Sequence, residues 1–263
     1  MKEDITPALI ENVNKAFEEN YNNNQRIARL LERGEKANYT DAYRYAEQVG
    51  TARAKAFKSQ ISSEVLPDGK MYFNIADRLM NETLSADHAM ISEYAQNVQA
   101  NVNKKSNLNL KAQKAELDED RIEGFVNRLS SEDDYDSVSW ILDEPVKTFA
   151  RSVVDDTVKK NAEFQDRAGI TATIIRTAEF KCCPWCADLA GDYTYPAPGE
   201  VFQRHDNCRC TLDYEGKRLQ AYAVLDDSSI WGVRDTHTFR DLDKVEERKM
   251  FVETKMSQIR RKR

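Results

Sequence analysis

The sequence predicts a mainly α-helical protein: a long helical N-terminal region, then a small α+β module, then a charged C-terminal helix. Glycine and proline together supply 15 of the 263 residues, about half of their usual share of about 12%. Charged residues make up 32% of the chain and apolar residues 40%, a balance typical of helices that bury one face and expose the other. All five cysteines lie between Cys182 and Cys210, which indicates one local site and not a disulfide framework.

Apolar residues recur at spacings of three to five through the N-terminal region, which is the period of amphipathic helices. Ile5, Leu9, Val13 and Phe17 form the first such stripe. Caps and breakers mark the ends of the helices, with threonine at a start and glycine at a stop. The predicted helices cover residues 5–33 up to Gly34, from a Thr40 cap to Ile61, 71–102 with a break near Ser85, 119–130, and from Pro145 in a first turn to a stop at Gly169.

Three stretches between these helices have a different composition. Pro67-Asp68-Gly69 predicts a turn, because proline fixes φ and glycine tolerates positive φ. Residues 103–118 are polar and have no periodicity, so we expect a linker or an exposed crossing. The acidic run Glu132-Asp133-Asp134 is predicted to be a solvated loop.

The pattern changes after Gly169. The β-branched run Ile170–Arg176 predicts a strand, and residues 211–214 alternate as a second strand does. The tail from Thr238 to Arg263 is highly charged and is predicted to form an exposed helix. The chain therefore divides into a helical region over residues 1–169, an α+β module over 170–218 and a C-terminal extension over 219–263.

The α+β module carries a metal-binding pattern. Cys183-x2-Cys186 is followed after 18 residues by His205-x2-Cys208 and then by Cys210. A CxxC knuckle turns two thiolates towards one point, and a second pair some 15–20 residues later completes a tetrahedron around zinc. Glycines and prolines between the two pairs suit a loop that folds back over the metal. We therefore expect one structural zinc ion, whose binding energy stabilises the module.

More residues can bind the zinc ion than it has places for. Cys183 and Cys186 are the firmest ligands, and His205, Cys208 and Cys210 compete for the other two positions. If residues 208–212 are extended, Cys208 and Cys210 point to one face, so both could bind. The favoured ligands for these two positions are His205 and Cys208, and Cys210 is the next candidate. Cys182 is left out, because adjacent residues seldom both reach one metal.

Two enzymatic interpretations use the same residues. Cys183-Pro184-Trp185-Cys186 has the form of a dithiol oxidoreductase motif, but a loop rich in glycine and proline follows where such proteins begin a helix. A zinc deaminase places HxE before PCxxC, whereas His205 follows the CxxC here and no glutamate accompanies it. We expect no enzymatic activity.

The same window resembles the head morphogenesis or minor head proteins of tailed bacteriophages, the Mu F-type family. The similarity covers residues 180–216, and the helical region before it also looks like that family. The residues that carry it are Cys183-Pro184-Trp185-Cys186, Leu189-Ala190-Gly191 and Arg204-His205-Asp206-Asn207-Cys208-Arg209-Cys210-Thr211-Leu212.

This resemblance implies a virion protein that is present in few copies at the portal vertex or inside the head. It implies a role in head assembly, in genome retention or in ejection, with the portal or capsid proteins as partners and synthesis in the host cytoplasm. It implies no enzymatic activity.

The charge and hydropathy of the sequence bear on whether the protein contacts nucleic acid or a membrane. The net charge of −6 disfavours a general nucleic-acid coat. Residues 235–263 hold nine basic and six acidic side chains, which allows weak contact with packaged DNA. A DNA-contacting ejection protein that travels with the genome is therefore an alternative. An amphipathic run follows residues 1–4, so we expect no signal peptide. No apolar segment reaches the roughly 18 residues of a membrane span, so we expect no membrane partner.

Overall fold

A computed structural model describes residues 4–179, 182–205 and 207–217 of the chain. The predicted C-terminal helix lies outside these residues. Within the described ranges, each helix is too short or too polar to cross a lipid bilayer. The fold is mainly helical with a small sheet, as predicted, and its elements are α1 (Thr6–Asn22), α2 (Gln25–Leu31), α3 (Tyr39–Gln60), α4 (Phe73–Lys105), α5 (Glu119–Leu129), α6 (Glu144–Arg167), β1 (Thr171–Thr177), α7 (Pro184–Asp188), β2 (Gly191–Thr194) and β3 (Thr211–Lys217).

The first predicted helix is in fact two helices, α1 and α2. The chain leaves the helix after Asn22, and the side chain of Asn24 accepts hydrogen bonds from the backbone N–H groups of Arg26 and Ile27. An asparagine that binds the backbone in this way competes with a continuous helix and caps the next one. The prediction of one helix over residues 5–33 was wrong because the apolar stripe continues across this break.

The cap of α3 also differs from the prediction. Asn38 caps the helix by accepting from the N–H of Asp41, whose carboxylate accepts from the N–H of Asn38 in return. This reciprocal capping box satisfies two donors that a helix start leaves unpaired. Thr40 therefore lies inside the first turn of α3 and is not its cap.

Helix α4 is continuous for 33 residues and does not break near Ser85. Serine only weakly disfavours a helix, and the packing of α4 against α3, α5 and α6 extends along its length. Leu84 and Asp87 on either side of Ser85 are buried in this packing. Tertiary contacts therefore outweigh the local preference that suggested an interruption.

Residues 106–118 have no helix or strand and connect α4 to α5 with about half of their side chains exposed, so the predicted crossing is partly confirmed, but it is not a free linker. Leu108, Ala112 and Ala115 are buried against the helices. Asn161 of α6 holds the backbone of Gln113 through two hydrogen bonds, 2.8 Å from its N–H to the Asn161 Oδ1 and 2.9 Å from the Asn161 Nδ2 to its carbonyl oxygen. Side chains thus satisfy the backbone of this segment, which lets it cross the body without regular structure.

Helix α3 lies at the centre of the bundle and packs against α1, α4 and α6. A buried ion pair joins three of these helices, since the guanidinium of Arg53 binds Asp87 at 2.8 Å and the Asn14 Oδ1 at 3.1 Å. The same guanidinium lies 3.9 Å from the centre of the Phe17 ring. A buried charge is tolerated because its partner and its hydrogen bonds replace water.

The small sheet has the order β2-β1-β3, and both pairings are antiparallel. The two predicted strands are confirmed as β1 and β3, whereas β2 was not predicted because its four residues carry no strand pattern. Gly169 takes φ +70° and ends α6 as expected. Ile174 and Tyr214 belong to the same hydrophobic core as the helices, so the sheet packs directly on the helical body.

Gly50 lies where α3 and α6 approach each other too closely to leave room for a Cβ atom. A Cβ atom there would lie 2.9 Å from the Lys147 Cα and 3.0 Å from the Ala150 Cβ. We expect Gly50→Ala to destabilise the protein by about 1–3 kcal/mol, because the helices must move apart. Gly124→Ala is the matched control, since nothing lies within 4 Å of that position, and alanine should stabilise α5 by about 0.5–1 kcal/mol. Urea unfolding measures both, and equal effects would contradict the close approach.

Candidate metal centre

The CxxC knuckle is formed by the start of the short helix α7. Cys183 is the N-cap of this helix, and its sulfur accepts a hydrogen bond from the N–H of Cys186 at 3.4 Å. Pro184 occupies the first turn, where its missing N–H costs nothing. This capping geometry turns both sulfurs to the same side of the knuckle.

The second half of the centre is a turn that leads into β3. The N–H of Cys208 donates to the carbonyl oxygen of His205 at 3.2 Å. Asn207 takes φ +60°, a left-handed conformation that asparagine adopts more readily than most residues. The turn presents His205 and Cys208 to the knuckle, and Cys210 follows just before β3.

These two halves bring all five predicted ligand residues together. The Nε2 of His205 lies 3.3 Å from the Cys183 sulfur and 3.0 Å from the Cys186 sulfur, and the sulfurs of Cys186 and Cys208 are 3.7 Å apart. Two groups of donors result, each with its ligand atoms within 4.8 Å of one another, and Cys186 belongs to both. The groups are Cys183, Cys186 and His205, and Cys186, Cys208 and Cys210.

The distances can be compared with those of a metal tetrahedron. Zinc–sulfur bonds of about 2.3 Å and zinc–nitrogen bonds of about 2.0–2.1 Å give edges of about 3.8 Å between two sulfurs and about 3.5 Å between sulfur and nitrogen. The Cys186–Cys208 separation of 3.7 Å matches the first edge, and the two contacts of His205 are slightly shorter than the second. Each of the two groups of three donors therefore has spacings close to those of a metal site, and Cys186 is common to both. Cys182 packs against the cluster but belongs to neither group.

The buried thiols have different proton affinities. A hydrogen bond from the Cys210 thiol, helped by the charge of Arg204, holds the pKa of Cys208 well below its usual value. The same hydrogen bond and burial raise the pKa of Cys210, and burial raises that of Cys186. The surroundings of Cys208 therefore favour its thiolate, the form that binds a metal ion, whereas those of Cys186 and Cys210 favour the neutral thiol.

A buried ion pair fixes the ligand turn to helix α6. The guanidinium of Arg204 binds the carboxylate of Asp155, with one contact at 2.9 Å, and both side chains are almost fully buried. The same guanidinium donates to the carbonyl oxygens of Cys208 at 3.2 Å and Cys210 at 2.8 Å. Arg204 thus holds the backbone of two candidate ligands from the residue next to His205.

Two further side chains complete this network. Tyr43 of α3 donates to Asp155 at 2.7 Å, and Arg151 of α6 donates to the carbonyl oxygen of Cys208 at 3.3 Å. Burial opposes the charge of Arg204, but the neighbouring Asp155 outweighs it and raises the pKa of the guanidinium. Each charge therefore has a partner of opposite sign or several hydrogen bonds, as a buried pair requires.

Sequence reasoning missed this support for the metal centre. Asp155 lies between the buried residues Val154 and Val158 of α6, and a carboxylate on an apolar helix face is rarely buried without a partner. The position of Asp155 on this face was the sequence signal that could have revealed a buried ion pair. It could show that Asp155 needs a cation, but not that Arg204, 49 residues later, supplies it.

Aromatic packing covers the outer side of the centre. The Trp185 ring meets the His205 ring edge to face, with 5.7 Å between centroids. The guanidinium of Arg176 lies 5.5 Å from the Trp185 ring and donates to the carbonyl oxygens of Val201 and Gln203. These contacts hold the knuckle and the ligand turn against β1.

The knuckle has one feature of a dithiol oxidoreductase that the sequence did not predict. A helix does begin directly after Cys183, because α7 starts at Pro184, but it ends at Asp188 after five residues. The sheet around it is antiparallel in the described part of the chain, and the βαβ unit of such proteins requires parallel strands. The described part of the chain therefore has the first helical turn of that motif but neither the longer helix nor the parallel strands that accompany it.

Comparisons with known proteins assign the chain to no family. No protein-family model matches the chain, and no similar protein was found among curated proteins or among solved structures. The metal-binding geometry therefore rests on this chain's own residues.

Loss of the carboxylate at Asp155 should destabilise the protein strongly. We expect Asp155→Asn to lower the free energy of unfolding by about 3–5 kcal/mol, because it leaves the buried Arg204 charge without its partner. Glu35→Gln is the control, since its ion pair with Lys104 is exposed and should contribute less than about 1 kcal/mol. Urea unfolding followed by circular dichroism measures both. Similar losses in the two variants would contradict the importance of the buried pair.

Proposed function

We propose that the cysteine–histidine cluster holds one structural zinc ion, and that the chain is a minor head protein of a tailed bacteriophage. In this proposal zinc fixes the small α+β module in one conformation on the helical body. The observation that carries the zinc site is the convergence of four further sulfur and nitrogen donors on Cys186, in two groups that share it. The phage assignment is supported by the resemblance of residues 180–216 to the Mu F-type family.

The donor chemistry favours zinc. Thiolates and imidazole are ligands that zinc binds well, whereas calcium and magnesium prefer oxygen. Three of the four cysteines in the two donor groups, Cys186, Cys208 and Cys210, are buried. Five donors for four positions favour a closed structural site, since a catalytic zinc keeps one position open for water or substrate.

Within this site we propose Cys183, Cys186, His205 and Cys208 as the four ligands. The close contacts among these four include both contacts of His205 and the Cys186–Cys208 separation. Cys210 shares the second group with Cys186 and Cys208 and is the nearest replacement if a ligand is lost.

A zinc-fixed module on a helical body suits a structural protein in a virion. Arg151 of α6 donates a hydrogen bond to the backbone of Cys208, and Arg204 of the ligand turn pairs with Asp155 of α6, so metal binding and the packing of the module on the body support each other. We propose the portal or inner capsid proteins as partners, assembly or genome retention and ejection as the role, and no enzymatic activity. An ejection protein that contacts DNA through its basic tail is the second candidate, but that tail lies outside the described residues.

Purified protein should contain one zinc ion per chain. We expect Cys186→Ser to lose the metal, because Cys186 belongs to both donor groups, and Cys182→Ser to retain it as the matched control. Elemental analysis measures the metal, and chelator should weaken the tertiary circular dichroism of the wild-type protein. A metal-free protein with a readily reversible Cys183–Cys186 disulfide would contradict the zinc site and favour thiol chemistry.

The ligand set has its own test. In the cobalt-substituted protein, His205→Ala should weaken metal binding more than Cys210→Ser does, because His205 is a proposed ligand and Cys210 is not. Visible absorption of the cobalt–thiolate bands gives both affinities and the number of sulfur ligands. A greater loss with Cys210→Ser would replace His205 by Cys210 in the set.

The phage assignment predicts that the chain is a component of finished heads. Quantitative mass spectrometry of heads purified from the phage or prophage that encodes the chain should detect a few copies per head. The expected partner is the portal protein of the same genome, and co-purification of the two proteins tests that contact. Heads that lack the chain would contradict the assignment without affecting the zinc site.

A further inference from the structure

Exposed apolar side chains are concentrated at one end of the helical bundle. Val65, Tyr72, Phe73 and Trp140 have 38–56% of their surface exposed. They lie on the connection from α3 to α4 and on the turn before α6. We call these four side chains, together with the segments 58–73 and 132–147 that carry them, the apical patch.

The two segments of the apical patch form one surface. The hydroxyl of Ser63 donates to the Asp136 carboxylate at 3.4 Å, and the Lys70 ammonium binds Asp133 at 2.5 Å. A groove between them is lined by Ile61 and Trp140 and has a volume of about 290 Å³. Small-molecule sites usually measure about 300–1,000 Å³, so this groove suits single side chains of a protein segment.

The apical patch is also acidic. Segments 58–73 and 132–147 contain eight carboxylates and three lysines, a formal charge of −5. Two of the lysines, Lys70 and Lys147, already pair with carboxylates of the patch. Exposed apolar area rimmed by charge is typical of a docking surface, and the sign of this rim selects a basic occupant.

The chain itself contains a segment with this chemistry. Residues 248–263 hold seven basic side chains and one acidic side chain, a formal charge of +6. Apolar residues recur among them at helical spacing, as Val252, Met256 and Ile259. We propose that residues 248–263 dock on the apical patch of their own chain, with these apolar side chains over Trp140 and Phe73 and the basic side chains against the acidic rim.

The connection is long enough for this contact. The last described residue, Lys217, pairs with Thr171 just beyond the C-terminal end of α6, whereas the apical patch adjoins the N-terminal end of that helix. The 24 residues of α6 span about 36 Å. The 30 residues from 218 to 247 reach at most about 100 Å when extended, so they can cover the distance along any path over the surface.

Hydrogen exchange of the full chain tests the docking. Replacement of Arg260, Arg261, Lys262 and Arg263 by glutamate should make the amides of residues 61–73 and 133–143 exchange roughly three- to tenfold faster, because the patch loses its cover. High salt should have the same effect on the wild type, since it screens the charges. The reciprocal variant, Asp133→Lys with Asp134→Lys and Asp136→Lys, should also expose the patch, and the combined variant should restore slow exchange.

A matched control separates docking from a general loss of charge balance. Glu32→Lys with Glu35→Lys changes exposed charges beside the opposite end of α4, where Glu35 pairs with Lys104, and should leave exchange at the patch unchanged. Equal exchange in the wild type and the tail variant would overturn the proposal and leave the patch for an external partner. Protection that rises with protein concentration would overturn the intrachain contact and assign the patch to a second copy. These outcomes do not depend on the zinc site.

Discussion

The buried ion pair between Arg204 and Asp155 is the constraint on which the candidate metal centre depends. A charge removed from water needs an opposite charge and hydrogen bonds on its remaining polar atoms. Asp155 meets this requirement with Arg204 and Tyr43, and Arg204 meets it with Asp155 and the carbonyl oxygens of Cys208 and Cys210. These partners can be satisfied together only when the ligand turn lies against α6, so one conformation of the turn is selected.

The metal centre and the helical body therefore stabilise each other. The knuckle at α7 is held by its own capping hydrogen bond, but the second half of the centre takes its position from α3 and α6 through Tyr43, Arg151 and Asp155. A metal ion bound by both halves would close this arrangement from the other side. The small sheet contributes through Ile174 and Tyr214, which share the core of the helices. The module thus packs directly on the helical body and shares its hydrophobic core.

Local signals were reliable where a residue acts through its own backbone. Gly169 ends α6, Pro145 lies in its first turn, and the β-branched run after Gly169 forms β1. They failed where tertiary packing or a side-chain hydrogen bond decides the outcome. Asn24 divides the first helix, packing carries α4 past Ser85, and hydrogen bonds from α6 hold the segment after α4 on the body.

The sequence by itself determined that five donors in one window form a local site, because CxxC and HxxC spacings bring ligand atoms together within short turns. It also determined a mainly helical body, since apolar periodicity needs no distant partner to be recognised. Only the tertiary structure decided what holds the site. Arg204 and Asp155 are 49 residues apart, and a buried charge reveals in sequence that it needs a partner but not which residue is that partner. That choice depends on how α3, α6 and the ligand turn pack in space.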